Sequence, residues 1–145
     1  MGEQYARSEP ERFHVPDEEA QIAWFRQAIA KPLPENSIWL VADWNGEAVG
    51  DAQAVLSEPA ETAAIQPQLD VGRKRAYLNW LAVQEQHRGR GIGGHLLDGI
   101  ETWARASGAE LIATDTNLRS TVGAVEFYER HGYERQAVVL RKSLK

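Results

Sequence analysis

The chain has 145 residues, 43% hydrophobic and 26% charged, the make-up of one globular domain and not of a disordered segment. Its 16 basic and 21 acidic side chains leave a net charge of −5, which argues against general nucleic-acid affinity and suits a cationic or amine-bearing partner. The absence of cysteine excludes a disulfide framework and a thiolate metal site, and no apolar run approaches the roughly 20 residues of a membrane span.

The first residues, MGEQYARSEPERF, are too polar for a secretory signal, so a cytoplasmic location is expected. Residues 17–30 place Ile22, Phe25 and Ile29 at helical spacing behind an acidic first turn, predicting an amphipathic helix packed on a sheet. KPLPEN breaks the chain. Two short β-rich runs follow, 37–42 and 48–56, joined across Asn45-Gly46, a strong hairpin signal. In the second run, Ala52, Ala54 and Leu56 face one way and Asp51, Gln53 and Val55 the other. Residues 57–75 have no consistent period and read as a long loop ending in the basic run Arg73-Lys74-Arg75.

AYLNWLAV (76–83) is almost continuously apolar, as expected of a strand buried on both faces. A glycine-rich loop then opens a helix with Ile92, Leu96, Ile100, Trp103 and Ala104 on one stripe and Gly108 just past its end. Residues 109–117 predict a strand, 119–131 a helix stopped by Gly132, and 133–144 a closing strand or pair of strands. The order defines a mixed α/β domain, antiparallel at first and with a β-α-β crossover in its second half.

The loop carries the chemistry. Gly89, Gly91, Gly93 and Gly94, with Arg88 and Arg90, sit where a helix N-terminus offers unpaired N–H groups to an anion. The tail Gly93-Gly94-His95 lacks the Lys-Ser/Thr of a Walker loop. Gly89, Gly91 and Gly94 match the dinucleotide pattern G-x-G-x-x-G, but too little chain follows for a second nucleotide-binding half. Four histidines (His14, His87, His95, His131) show no metal-ligand spacing, so no metal is expected.

WLAVQEQHRGRGIGGHLL resembles the acyl-CoA-binding motif of the GNAT superfamily of N-acetyltransferases, through Arg88, Gly91 and Gly93. AVEFYERHGY (124–133) is similar to the closing motif of that superfamily, and the likeness spans roughly 37–142. It implies a GNAT-like fold over 1–145, with a β-bulge in the strand before the loop and central strands that splay apart. It further implies acetyl-CoA as co-substrate. The pantetheine arm would lie along Leu81, Ala82 and Val83. The pyrophosphate would sit on the amides of Arg88 to Gly94, with the two arginines closing over it.

In the same frame Tyr128 is the acid that protonates the leaving thiolate, or else only a core aromatic. Asp115 is the first choice for the base, acting through water held by Asn79, with capping the next helix or binding a cationic acceptor as its alternatives. The family's pantetheine-binding asparagine falls on Thr121 here, and Asn117 is the candidate substitute. The acceptor would be a small-molecule or peptide amine chosen by the first helix, the 57–75 loop and the last strand. The usual first strand is degenerate near 12–15 or lacking, which would leave a sheet edge that a homodimer could cover. A non-catalytic acyl-CoA-binding module is the rival reading.

Overall fold

In the computed structural model, residues 2–118 and 123–145 are described; Thr121 and the first turn expected of the 119–131 helix lie outside them. The chain divides into two compact units, 1–115 and 116–145.

The first unit opens with helix α1 (Gly2–Ser8), where no strand was expected and none forms. Helix α2 (Glu18–Ile29) follows, capped by Asp17, whose side chain accepts from the Ala20 N–H at 2.7 Å. Strands β1 (Ser37–Trp44) and β2 (Glu47–Ser57) form the expected hairpin. Asn45 and Gly46 take φ of 54° and 86°, the paired left-handed residues of a type I′ turn. Strand β3 (Arg75–Val83) pairs antiparallel with β2, helix α3 (Ile92–Ala106) crosses over, and β4 (Leu111–Ala113) returns parallel to β3. The sheet order is β1-β2-β3-β4.

The core lies between α3 and one face of this sheet. Ala52, Ala54, Ala76 and Leu78 are fully buried there with Leu97 and Ile100. Burying those two side chains stabilises the unit by roughly 1.5–3 kcal/mol each. The predicted stripe holds except that Leu97, not named in it, is fully buried while Trp103 is only half-buried. A Cβ on Gly99 would come within 2.7 Å of Leu40 Cδ1, so this glycine lets α3 close onto β1. At the helix end, Gly108 (φ 80°) donates to the Arg105 carbonyl and Ala109 to that of Ala104, a Schellman closure.

Helix α2 corrects the amphipathic expectation. None of its residues is buried, and Ile29 is 71% exposed. The helix meets the sheet through Phe25, whose ring lies 5.7 Å from that of Trp39, and Phe25 borders a cavity on each side. A stripe of apolar residues is buried only where a partner surface reaches it, and no residue of α2 is covered that far.

β3 is not buried on both faces: Tyr77 and Asn79 are exposed. Gln53 pairs with Trp80 but Ala54 with Leu78, so Asn79 is an extra residue, the implied bulge. Directly opposed residues share a face. Leu78 therefore lies with Ala54 on the α3 side, and Trp80 with Gln53 on the other.

The 57–75 segment contains two single-turn 3-10 helices, Ala63–Ile65 and Leu69–Gly72. Its basic end is absorbed locally, with Lys74 Nζ 2.9 Å from Glu58 and Arg73 3.6 Å from Asp70.

The second unit is helix α4 (Ala124–Arg130) and what flanks it. Gly132 (φ 86°) donates to the Glu129 carbonyl and Tyr133 to that of Tyr128, again a Schellman closure. Residues 134–145 are exposed and carry no strand, against expectation. The apolar, β-branched run AVVL suits a strand, but ladder bonds come from a neighbour and none among the described residues pairs with it. The strand expected over 109–117 likewise shrinks to three residues, the length over which β3 offers a partner.

Candidate functional site

β3 and β4 stay paired only from Arg75–Leu111 to Tyr77–Ala113. One residue beyond, the Thr114 hydroxyl donates to the Leu78 carbonyl at 3.0 Å, and the pairing ends. The Gln84 N–H donates to the Val49 carbonyl at 2.8 Å. Strand alternation thus turns the peptide groups of Trp80 and Ala82 towards β2, and those of Leu81 and Val83 to the edge where β4 has stopped. Among the described residues, the Val83 carbonyl there accepts from Arg88 and the Leu81 groups and the Val83 N–H stay open, an edge of the kind that an extended amide-bearing chain can join.

The loop lies at the end of that edge. A 3-10 turn, Glu85–His87, leads into Gly89 and Gly91, with φ of 75° and 81°. A Cβ at either would meet nothing within 4 Å, so glycine is needed for the backbone angle and not for space. Gly91 caps α3 without a side-chain bond, and the first helical bond is His95 N–H to the Gly91 carbonyl at 3.0 Å. Among the described residues, the six consecutive N–H groups from Gly89 to Gly94 have no acceptor. Together with the dipole of a 15-residue helix they make a loop that can cradle an anion. It sits in a sheet with a single parallel pair, not in a doubly wound dinucleotide fold.

The two arginines do different things. Arg88 turns back, its Nε donating to the Val83 carbonyl at 3.0 Å and its Nη1 to Gln4 Oε1 of α1 at 2.8 Å. It braces the strand end instead of closing over the loop. Arg90 is exposed and lies 5.3 Å from the centre of the Trp44 ring, a cation–π contact. His87 packs beside the same ring at 6.3 Å, and its buried Nδ1 has no partner among the described residues.

A cavity of about 440 Å³ adjoins Ala82, Val83 and Arg88 and runs under α1 and α2 to Phe25, Trp39 and Asp51. A wider one of about 490 Å³ lies between the 14–17 turn and α2. Neither is lined by the 57–75 segment, which was expected to help choose the acceptor. One wall is α1 instead, through Glu3, Gln4 and Arg7, and Gln4 accepts from Arg88. Gly50 was also missed: a Cβ there would stand 2.7 Å from the Ala82 carbonyl oxygen, so β2 and β3 approach closely at the cavity floor.

Asp115 is exposed, just past β4, and lines neither cavity. Asn79 donates to Gln53 Oε1, and the bulge puts it on the face opposite Leu81, where the sequence placed the two together. In the second unit, Tyr128 is half-buried on α4, with its ring 5.2 Å from Phe127 and 5.3 Å from Tyr133. Asn117 is half-buried in the same unit. No cluster of three metal-ligating side chains occurs among the described residues, and no helix among them is long and apolar enough to cross a membrane.

Fold and loop define a mixed-sheet α/β protein with a loop that can cradle an anion at the end of an open-edged strand. Residues 1–133 match the family model of the acetyltransferase (GNAT) family, and the chain belongs to that family. Its fold is similar to that of a point variant of the BH1408 protein from Bacillus halodurans, with TM-score 0.81, 22% identity, and 99% of this chain and 87% of that one covered. It is also similar to the aminoglycoside 6′-N-acetyltransferase AAC(6′)-IG from Acinetobacter haemolyticus, with TM-score 0.64, 17% identity, and 99% and 91% covered. A third, the aminoglycoside N-acetyltransferase AAC(6′)-Iy in complex with CoA, has TM-score 0.61, 19% identity, and 86% and 87% covered. No curated protein matches the chain in sequence.

Proposed function

We propose that this protein is an N-acetyltransferase that moves an acetyl group from acetyl-CoA to a primary amine by direct attack in a ternary complex. The observation that carries this is the open Leu81–Val83 edge running into six unpaired amides, a strand edge for the pantetheine amides and a cradle for the pyrophosphate. Family membership and N-acetyltransferases among the structural neighbours support it. With no cysteine in the chain, a cysteine acyl-enzyme is excluded.

When bound, acetyl-CoA supplies an activated thioester carbonyl. Gly89, Gly91, Gly93 and Gly94 hold its pyrophosphate through their N–H groups, Arg90 adds charge from the loop, and Arg88 keeps the strand end in place. Asn117 is the side chain assigned to the pantetheine arm. Asp115, acting through water, takes a proton from the acceptor ammonium so that its lone pair is available. The Tyr128 phenol, of a class with pKa about 10, gives a proton to the departing sulfur.

Two measurements test the reading. Calorimetry should show acetyl-CoA binding and no binding of NAD; the opposite pattern would return the loop to the dinucleotide class. Tyr128→Phe should lower coenzyme A release on a panel of primary amines by about 100-fold or more while acetyl-CoA affinity is kept. Acetyl-CoA binding without coenzyme A release from any amine would instead favour the non-catalytic module.

A further inference from the structure

On the α2 side of the sheet, two tryptophans hold one carboxylate. Asp51 Oδ2 accepts from Trp39 Nε1 at 2.8 Å and from Trp80 Nε1 at 2.6 Å. An indole N–H only donates, so the pair orients the carboxylate without neutralising it. None of the ion pairs among the described residues involves Asp51, although two arginines line the same cavity. Arg7 lies 3.5 Å from Glu3, and Arg88 is bonded to Val83 and Gln4. A part-buried charge without a counter-ion is costly, and a cationic occupant would remove that cost.

The surroundings suit a cation with an apolar body. Trp39 stands at 88° to Trp80, with ring centres 5.5 Å apart, and Phe25 lies 5.7 Å from Trp39 on the cavity side. Ring faces attract ammonium groups, and Phe25, Val41 and Val49 give the cavity an apolar wall beside a charged rim of Glu3, Arg7, Glu85 and Arg88. Its volume of about 440 Å³ exceeds what an ammonium group fills, so it takes a substituent as well. Ala82 lies opposite Asp51 in the β2–β3 ladder and lines the same cavity, so the carboxylate stands beside the strand segment assigned to the pantetheine arm.

We propose that Asp51, oriented by Trp39 and Trp80, is the specificity-determining anchor for the ammonium group of an alkylamine or arylalkylamine. That this ammonium belongs to the acetyl acceptor rests on the transferase reading above; that the site binds such a cation does not.

n-Hexylamine, protonated at neutral pH, and the neutral hexan-1-ol are the probes, followed by tryptophan fluorescence and calorimetry. The amine should bind the native protein and shift its emission, while the alcohol binds at least about tenfold more weakly. Asp51→Asn retains an oxygen for the indoles but loses the charge, and should weaken the amine by about tenfold or more with acetyl-CoA affinity unchanged. Equal binding of amine and alcohol, or equal amine affinity in native protein and variant, overturns the proposal. Should Asp51→Asn lose its circular-dichroism signature, Trp39→Leu serves instead. It should weaken the amine by about threefold to tenfold, and no change would equally overturn the proposal. Amine binding without acetyl-CoA binding sinks the transferase reading alone; acetyl-CoA binding with no amine effect sinks this one alone.

Discussion

On the α3 side of the sheet, Ala52, Ala54, Ala76 and Leu78 meet Leu97 and Ile100, all fully buried and all apolar. On the α2 side, neighbouring positions of the same strands carry Trp39, Asp51, Gln53 and Trp80, half-buried and bonded to one another or to Asn79. The first side is closed by a helix whose Gly99 lets it approach the backbone. The second is spanned by a helix that touches through Phe25 and leaves a cavity. One face of a small sheet is enough to hold the unit together, which frees the other to carry polar groups that would be costly in a sealed core.

That division can be broken from the apolar side first. Leu97→Ala removes a fully buried side chain and should cost about 2–5 kcal/mol, read as a lower urea midpoint with unchanged slope. A loss below about 1 kcal/mol would mean that the α3 face does not dominate stability. Gly91→Ala sharpens the comparison at the rim. It places a side chain at φ 81°, costing about 1–2 kcal/mol, and should weaken acetyl-CoA binding more than Leu97→Ala does in the still-folded protein. If acetyl-CoA affinity is untouched, the amide cradle is not where the pyrophosphate lies.

The smallest effect belongs to the second unit. Arg135 bonds both carboxylate oxygens of Glu129, at 2.6 and 3.1 Å, and this pairing holds the Glu129 carboxyl below the ordinary range. A carboxyl lowered by folding contributes stability above its unfolded pKa and loses it as pH falls through the folded value. The pair is exposed, so Glu129→Gln should shift the neutral-pH melting temperature only slightly, and less still once acid has protonated the native carboxyl. An equal shift at both pH values would show that the charge is irrelevant.

Features written in contiguous residues were legible from the sequence. Asn45-Gly46 specifies its turn because both residues tolerate positive φ, and Gly108 and Gly132 end their helices for the same reason. The glycine loop was readable because its N–H groups stay unpaired whatever surrounds them. The family likeness added the bulge and the splay before either was visible.

What depends on distant partners was decided by the tertiary structure. The alternation of AYLNWLAV puts Leu78 and Trp80 on one face; the extra residue at Asn79 separates them and delivers Trp80 to Asp51. Residues 134–145 carry the β-prone apolar run Ala137–Leu140, yet form no strand, because half of a ladder lies in the neighbouring chain segment. Arg88 stood in a phosphate motif, but its side chain is spent on Val83 and on a helix 84 positions away. Local chemistry sets turns, caps and unpaired amides; which side chain meets which is set by register, and one inserted residue in a strand is enough to reverse it.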